Sequence, residues 1–126
     1  MKHDCIIGLG SNIDPEKNIA AALFLLRSDH ELVSISTLVK TAPIGIVEQP
    51  DFINCVARIY TTLEISDLND YLKSIEDQLL RDRTSSKFGP RTIDLDIVVW
   101  DGEIIDKDYY DREFLRGAVA EIYTIK

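Results

Sequence analysis

Cysteine is scarce in this 126-residue chain: there are two, Cys5 and Cys55. Neither belongs to a CxxC pair, and both sit in apolar, strand-like stretches. That argues against a disulfide or a metal site, and both cysteines read as buried reduced thiols. Long apolar runs are also missing. Nothing approaches the roughly 20 residues needed to cross a bilayer. Met1-Lys2-His3-Asp4 leads into too few apolar residues for a signal-peptide core, so a cytoplasmic location is expected. Basic charge is in short supply, 14 residues against 22 acidic ones for a net charge of −8. This argues against a protein that coats nucleic acid or an anionic membrane. A small anionic ligand stays possible, because Arg81, Arg83, Lys87 and Arg91 fall within one short run. His3 and His30 have no partner pattern and read as surface residues. Repeats, low-complexity tracts and linkers are absent.

What remains is 45% hydrophobic and 29% charged, the balance of a globular protein. The length fits one domain over residues 1–126, which buries roughly two thirds of its extended surface on folding. Residues 4–10 read as a first strand. Asp14-Pro15 predicts a helix start, with Asp14 capping free amides and Pro15 at the first helical position. Ile19, Ala22, Leu23 and Leu26 give that helix a buried face. Residues 31–41 alternate as one strand and 51–62 as another. In the latter, Phe52, Asn54, Val56, Arg58 and Tyr60 share a face opposite Ile53, Cys55, Ala57 and Ile59. Ser66 is the expected cap of a second helix with Leu68, Leu72, Ile75 and Leu79 inward. Residues 92–100 form the strongest strand, Asp101-Gly102 a hairpin turn, and 103–105 the return strand. A last helix is expected from about Tyr110, with Leu115, Ala118, Val119 and Ile122 inward. The order β-α-β-β-α-β is the ferredoxin-like arrangement, α+β, an antiparallel sheet with helices packed on it and an extra C-terminal hairpin strand and helix.

Asp94 and Asp96 carry the clearest chemical signal. Two apart on a strand, they project from one face, together with Val98 and Trp100. Carboxylates at the start of a hydrophobic strand are costly to desolvate unless something positive meets them. A hard divalent cation such as Mg²⁺ suits an oxygen-donor pair; carboxylates left in water, or paired with Arg91, suit it equally. The basic run 81–91 immediately precedes the pair, and guanidinium groups beside a metal-binding carboxylate pair suggest a held phosphate chain. Gly8-Leu9-Gly10-Ser11-Asn12 lacks the third glycine of a dinucleotide fingerprint, so these glycines read as a tight turn from strand to helix. Phe52 and Asn54 could hold a flat heterocycle or simply pack.

Four segments in order make a more specific pattern: Gly8-Leu9-Gly10-Ser11-Asn12, Thr41-Ala42-Pro43-Ile44-Gly45, Gln49-Pro50-Asp51-Phe52-Ile53-Asn54, and Phe88-Gly89-Pro90-Arg91-Thr92-Ile93-Asp94-Leu95-Asp96-Ile97. Over about residues 4 to 105 the chain resembles the 6-hydroxymethyl-7,8-dihydropterin pyrophosphokinases of folate biosynthesis. The resemblance implies transfer of the terminal diphosphate of ATP to the hydroxymethyl group of a reduced pterin, leaving AMP. It implies two Mg²⁺ ions held by Asp94 and Asp96, and a pterin pocket lined by Thr41, Pro43, Phe52, Asn54 and Phe114. Arg81, Arg83 and Arg91 would face the phosphates as catalytic residues, with Phe88, Ile97 and Arg112 as further nucleotide contacts. Phe88 stands where the family usually has a tryptophan, and Glu76 matches a recurrent glutamate. The partners implied are ATP and a reduced hydroxymethylpterin, with no nucleic acid or membrane, and a monomer is expected. After the hairpin the usual His-Pro or Pro-His segment is missing, and Asp106 to Asp111 lead directly to Arg112 and Phe114. A short form with a trimmed nucleotide site is therefore expected. A silent homologue that binds pterin or nucleotide as a sensor or partner subunit, and a ferredoxin-like interaction module, are the other readings. Asp94, Asp96, Arg81, Arg83 and Arg91 together favour the enzyme, since a scaffold has no need of them.

Overall fold

The computed structural model describes residues 2–46, 48–81 and 90–125. The elements in order are β1 (His3–Ser11), α1 (Pro15–Asp29), β2 (Glu31–Ile35), β3 (Val39–Thr41), β4 (Phe52–Thr61), α2 (Ile65–Gln78), β5 (Asp94–Trp100), β6 (Glu103–Ile104), α3 (Asp108–Asp111) and α4 (Glu113–Ile122). The strands form one antiparallel sheet in the order β2-β4-β1-β5-β6, with β3 also paired to β4. This is the expected ferredoxin-like α+β arrangement with a C-terminal hairpin strand and helix added.

Strand alternation sorts the core into two layers. Cys5, Ile7 and Leu9 of β1 join Cys55, Ala57 and Ile59 of β4 on one face, under Ile19, Ala22 and Leu26 of α1 and Leu68, Leu72 and Ile75 of α2. Ile6, Val56, Val98 and Val99 face the other way and are covered by Leu115, Ala118 and Val119 of α4. A helix of ten residues is only about 15 Å long, so α4 covers part of that second face and leaves the rest open. Burial pushes the Cys5 thiol up to about 12 and the Cys55 thiol up to about 11, which matches two buried, unreactive cysteines.

Several local expectations need correction. The stretch 31–41 is two strands, broken after Ile35, with a bulge between Leu32 and Ser34 that leaves Val33 exposed. Gly8 and Gly10 are interior strand residues of β1, not a turn. Asp14 occupies the cap position of α1 in a left-handed conformation (φ 42°), and its carboxylate makes no capping bond; its carbonyl accepts Asn18 N–H at 3.0 Å. Helix α2 begins at Ile65 after Glu64, so Ser66 lies inside it. The C-terminal helix is two helices, α3 and α4, parted at the extended Arg112. Neither histidine is a simple surface group. His3 lies between Asp101 and Glu64, and the buried Nε2 of His30 has no hydrogen-bond partner among the described residues. Finally, Ile6 faces Val99 while Ile7 faces Ile97, so Val98 is an extra residue on β5. A one-residue bulge inverts the alternation beyond it. Trp100 therefore turns away from Asp94 and Asp96, packs against the α1 and α2 layer and stacks on His3 at 4.5 Å.

The turn Asp101-Gly102 has positive φ at both residues (47° and 86°), the pairing a tight hairpin requires.

Candidate functional site

The uncovered part of the second sheet face is a cleft of about 540 Å³. Its floor consists of Gly8, Gly10, Asn54, Asp94, Asp96 and Val98, and its walls include Thr41, Ala42, Ile44, Phe52, Arg91, Asp106, Lys107, Asp108, Arg112, Phe114 and Leu115. Neighbouring strands bring residues far apart in sequence side by side, with Gly10 opposite both Asn54 and Asp94, and Gly8 opposite Asp96. The two glycines keep the floor open. A Cβ on Gly10 would lie 2.8 Å from Asn54 Oδ1, and one on Gly8 would lie 3.2 Å from Val98 Cγ2.

At one end of the cleft, Asn54 Nδ2 donates to Thr41 Oγ1 at 2.6 Å, and Phe52 and Phe114 line the same space. A polar amide and two aromatic rings lining one space suit a flat, hydrogen-bonding heterocycle. At the other end stand Asp94 and Asp96. Asp96 is exposed at the open mouth of the cleft, yet the protein groups around it displace much of its bulk water. Desolvation, then the charge of Asp94, pushes its pKa up to about 7. Desolvation also raises Asp94, and the Arg81 guanidinium pulls it part of the way back. Two oxygen-donor groups held side by side, with Arg81 the one guanidinium bonded to them among the described residues, fit a hard divalent cation.

Arg81 reaches Asp94 from the α2 side and does not line the cleft. Its Nη1 donates to Glu76 Oε2 at 2.7 Å and to Asp94 Oδ1 at 3.2 Å. Local backbone chemistry aims it. Leu80 takes a left-handed conformation (φ 63°), its N–H donates to Asp77 O at 3.1 Å, and Arg81 N–H donates to Glu76 O at 3.0 Å. This Schellman ending folds the chain back on α2. The buried Glu76 carboxylate also accepts Leu95 N–H at 2.9 Å, so one side chain orients both the arginine and the strand that carries the aspartates.

Asn12 is the residue that sequence reasoning missed. It is buried, and it ties three of the four motif segments together. Its Oδ1 accepts Arg91 N–H at 2.8 Å, its N–H donates to Arg91 O at 3.1 Å, and its Nδ2 donates to Gln49 Oε1 at 2.8 Å and Pro50 O at 3.0 Å. The available signal was its place in the first motif segment, a polar side chain directly after β1.

Of the expected site residues, Thr41, Phe52, Asn54, Arg91, Asp94, Asp96, Arg112 and Phe114 meet in the one cleft. Pro43 does not line it. Ile97 faces the α1 and α2 layer and borders an adjoining pocket of about 380 Å³ with Asn69 and Ile105, joined to the main cleft through Asp96 and Asp106–Asp108. Arg83 and Phe88 lie outside the described residues.

Residues 6–124 match the family described as 7,8-dihydro-6-hydroxymethylpterin-pyrophosphokinase. The chain is 38% identical over 127 residues to the 2-amino-4-hydroxy-6-hydroxymethyldihydropteridine pyrophosphokinase of Haemophilus influenzae, covering 92% of this chain and 79% of that protein. The Bacillus subtilis protein of the same name is 34% identical over 134 residues, 97% of this chain and 79% of its own length. A mitochondrial folate synthesis bifunctional protein of Arabidopsis thaliana is 36% identical over 131 residues, 96% of this chain and 24% of its length.

Proposed function

The chain belongs to the 7,8-dihydro-6-hydroxymethylpterin-pyrophosphokinase family, with pyrophosphokinase activity in folate biosynthesis, and from that premise we propose how its residues divide the reaction. ATP gives its terminal diphosphate to the hydroxymethyl oxygen of 6-hydroxymethyl-7,8-dihydropterin, and AMP leaves. The observation that carries this assignment is the meeting of Asn54 and Phe52 with Asp94 and Asp96 in one cleft. The pterin ring lies between Phe52 and Phe114, with Asn54 and Thr41 pairing its polar edge. Pro43 shapes the approach from the neighbouring loop.

Asp94 and Asp96 hold Mg²⁺, two ions when ATP is bound. Held by these two carboxylates, Mg²⁺ would supply neutralisation of phosphate charge and polarisation of the phosphoryl group. Arg91 lines the same cleft and binds the phosphate chain, together with Arg83. Arg81 acts through Asp94, balancing its charge and fixing its direction. Ile97 and Arg112 bound the nucleotide side, with Phe88 as a further contact. Catalysis is mainly positioning, since effective molarities in a held pair supply much of the barrier reduction. The protein works as a monomer in the cytoplasm.

The test is AMP formation from ATP, Mg²⁺ and the reduced hydroxymethylpterin. Wild-type protein should release AMP in step with pterin diphosphate. Asp96→Ala should lose at least about a thousandfold in turnover while remaining folded. Turnover within tenfold of wild type in that variant would remove Asp96 from the metal site.

A further inference from the structure

The cleft has two walls from distant parts of the chain. One is the short edge strand β3, whose Thr41 hydroxyl accepts the Asn54 amide. The other is the start of α4 with Phe114. Between β2 and β3 the edge of the sheet kinks. Ser36 is still paired with Val56: its N–H donates to Val56 O, and its hydroxyl accepts Val56 N–H, each at 2.9 Å. Val39 already stands opposite Asn54. Three steps along this edge therefore match two along β4, and the surplus turns Thr37 out of the ladder. Both donors of Thr37 then meet one acceptor: its N–H reaches Glu121 Oε1 at 2.8 Å and its hydroxyl reaches the same oxygen at 2.7 Å. Glu121 lies in the last turn of α4, whose Leu115, Ala118 and Val119 are buried against the sheet.

We infer that Glu121 is a positioning residue for the pyrophosphokinase reaction, its carboxylate tying the kink that leads into β3 to the helix that carries Phe114 and so setting the width of the heterocycle pocket. The inference rests on the pterin reading given above. Its physical basis is leverage. Strand β3 has three residues and pairs with β4 along one side, so its tilt depends on how the kink before it is held. A carboxylate that accepts two donors makes charge-assisted bonds, and α4 is a rigid anchor. Loosening that tie lets Thr41 drift from Asn54 and from the ring it faces, and small misplacements of positioning groups are expensive. The nucleotide end of the cleft, near Asp94 and Asp96, is built on β5, and Arg112 at the start of α4 is seated by the buried Leu115, Ala118 and Val119 rather than by the tie.

The experiment measures dissociation constants by calorimetry for 6-hydroxymethyl-7,8-dihydropterin, in the presence of Mg²⁺ and α,β-methylene-ATP, and separately for that nucleotide analogue. Steady-state KM and kcat are measured alongside. Glu121→Ala should weaken pterin binding about tenfold, raise the pterin KM in parallel, and leave nucleotide affinity within twofold. Glu121→Gln keeps an acceptor oxygen at the same place and should stay within about threefold of wild type. Thr37→Val removes the hydroxyl bond but keeps the backbone one, and should lie between them. It supplies the measurement if Glu121→Ala does not fold. Unchanged pterin affinity in Glu121→Ala, or in Thr37→Val where that variant stands in, would overturn the inference. So would a parallel loss of nucleotide affinity, or a glutamine variant no better than alanine. Wild-type protein that binds the nucleotide but no pterin would instead overturn the pterin reading, and this inference with it.

Discussion

Glu76→Ala tests whether a single buried carboxylate organises the acidic end of the cleft. The side chain is 3% exposed, and its Oε2 accepts Arg81 Nη1 at 2.7 Å and Leu95 N–H at 2.9 Å. Truncation leaves the Leu95 amide buried and unpaired, which costs about 1–3 kcal/mol. It also removes the tighter of the two carboxylate partners of Arg81. Breaking a fully buried pair costs about 3–5 kcal/mol, but the Arg81 side chain is 18% exposed, so solvent recovers part of that. Relief of repulsion between Glu76 and Asp94 offsets a further part. The net expectation is a loss of about 3 kcal/mol, read as a fall in melting temperature of about 10 °C for a domain of this size. Glu76→Gln keeps the shape and an acceptor for Leu95, and should cost about 1 kcal/mol. It has a second effect of opposite sign on the site. The Glu76 charge raises the pKa of both Asp94 and Asp96, so its removal lowers them. Mg²⁺–nucleotide binding should then persist to lower pH in Glu76→Gln than in wild type. Thermal melts at pH 8 and calorimetric titrations from pH 5 to 8 measure both effects. A loss under 1 kcal/mol in the alanine variant, or an unshifted pH midpoint in the glutamine variant, would refute the reasoning.

Three further outcomes follow from the same geometry. Asp96 has its folded-state pKa raised to about 7 against an ordinary 3.8, so the fold holds that proton more tightly than the unfolded chain does; without metal, its contribution is fully present below about pH 4 and is lost as pH rises through 7. Asp96→Asn should flatten that part of the melting-temperature profile, and a profile that keeps its slope would remove Asp96 as its source. His3 has both ring nitrogens 2.7 Å from carboxylate oxygens of Asp101 and Glu64, and those bonds raise its pKa above 6.5; its stabilisation is complete below 6.5 and disappears as pH rises through the raised value. An NMR titration should place His3 above His30, whose pKa burial lowers, and the reverse order would sink the assignment. Gly10→Ala brings a Cβ to 2.8 Å from Asn54 Oδ1; the amide end must shift, which pulls its Nδ2 from Thr41, and pterin affinity falls with a stability cost of no more than about 1 kcal/mol, whereas unchanged affinity would show that Asn54 does not set the pocket.

Local periodicity was enough to determine much of this protein. The alternation along 52–61 placed Phe52 and Asn54 on one face, the spacing of Asp94 and Asp96 placed both on one face, and Asp101-Gly102 marked the hairpin. Each depends on neighbours within a few residues, where a strand or turn has a fixed geometry. The four motif segments also carried the family. Other features depend on partners that no local pattern encodes, as Asn12 does on Gln49, 37 residues on, and on Arg91, 79 residues on. Gly8 and Gly10 look like turn residues until β4 and β5 are laid beside them, and only then do they become the open floor of a cleft. The bulge at Val98 is a mismatch between two strands, and it alone sends Trp100 to the opposite layer from Asp96. Asn12 gains its importance from where Arg91, Gln49 and Pro50 arrive, and Arg81 from a left-handed Leu80 that aims it at Glu76 and Asp94 rather than into the cleft. Chemical identity was set by the chain; distance, burial and charge compensation exist only once its strands have paired.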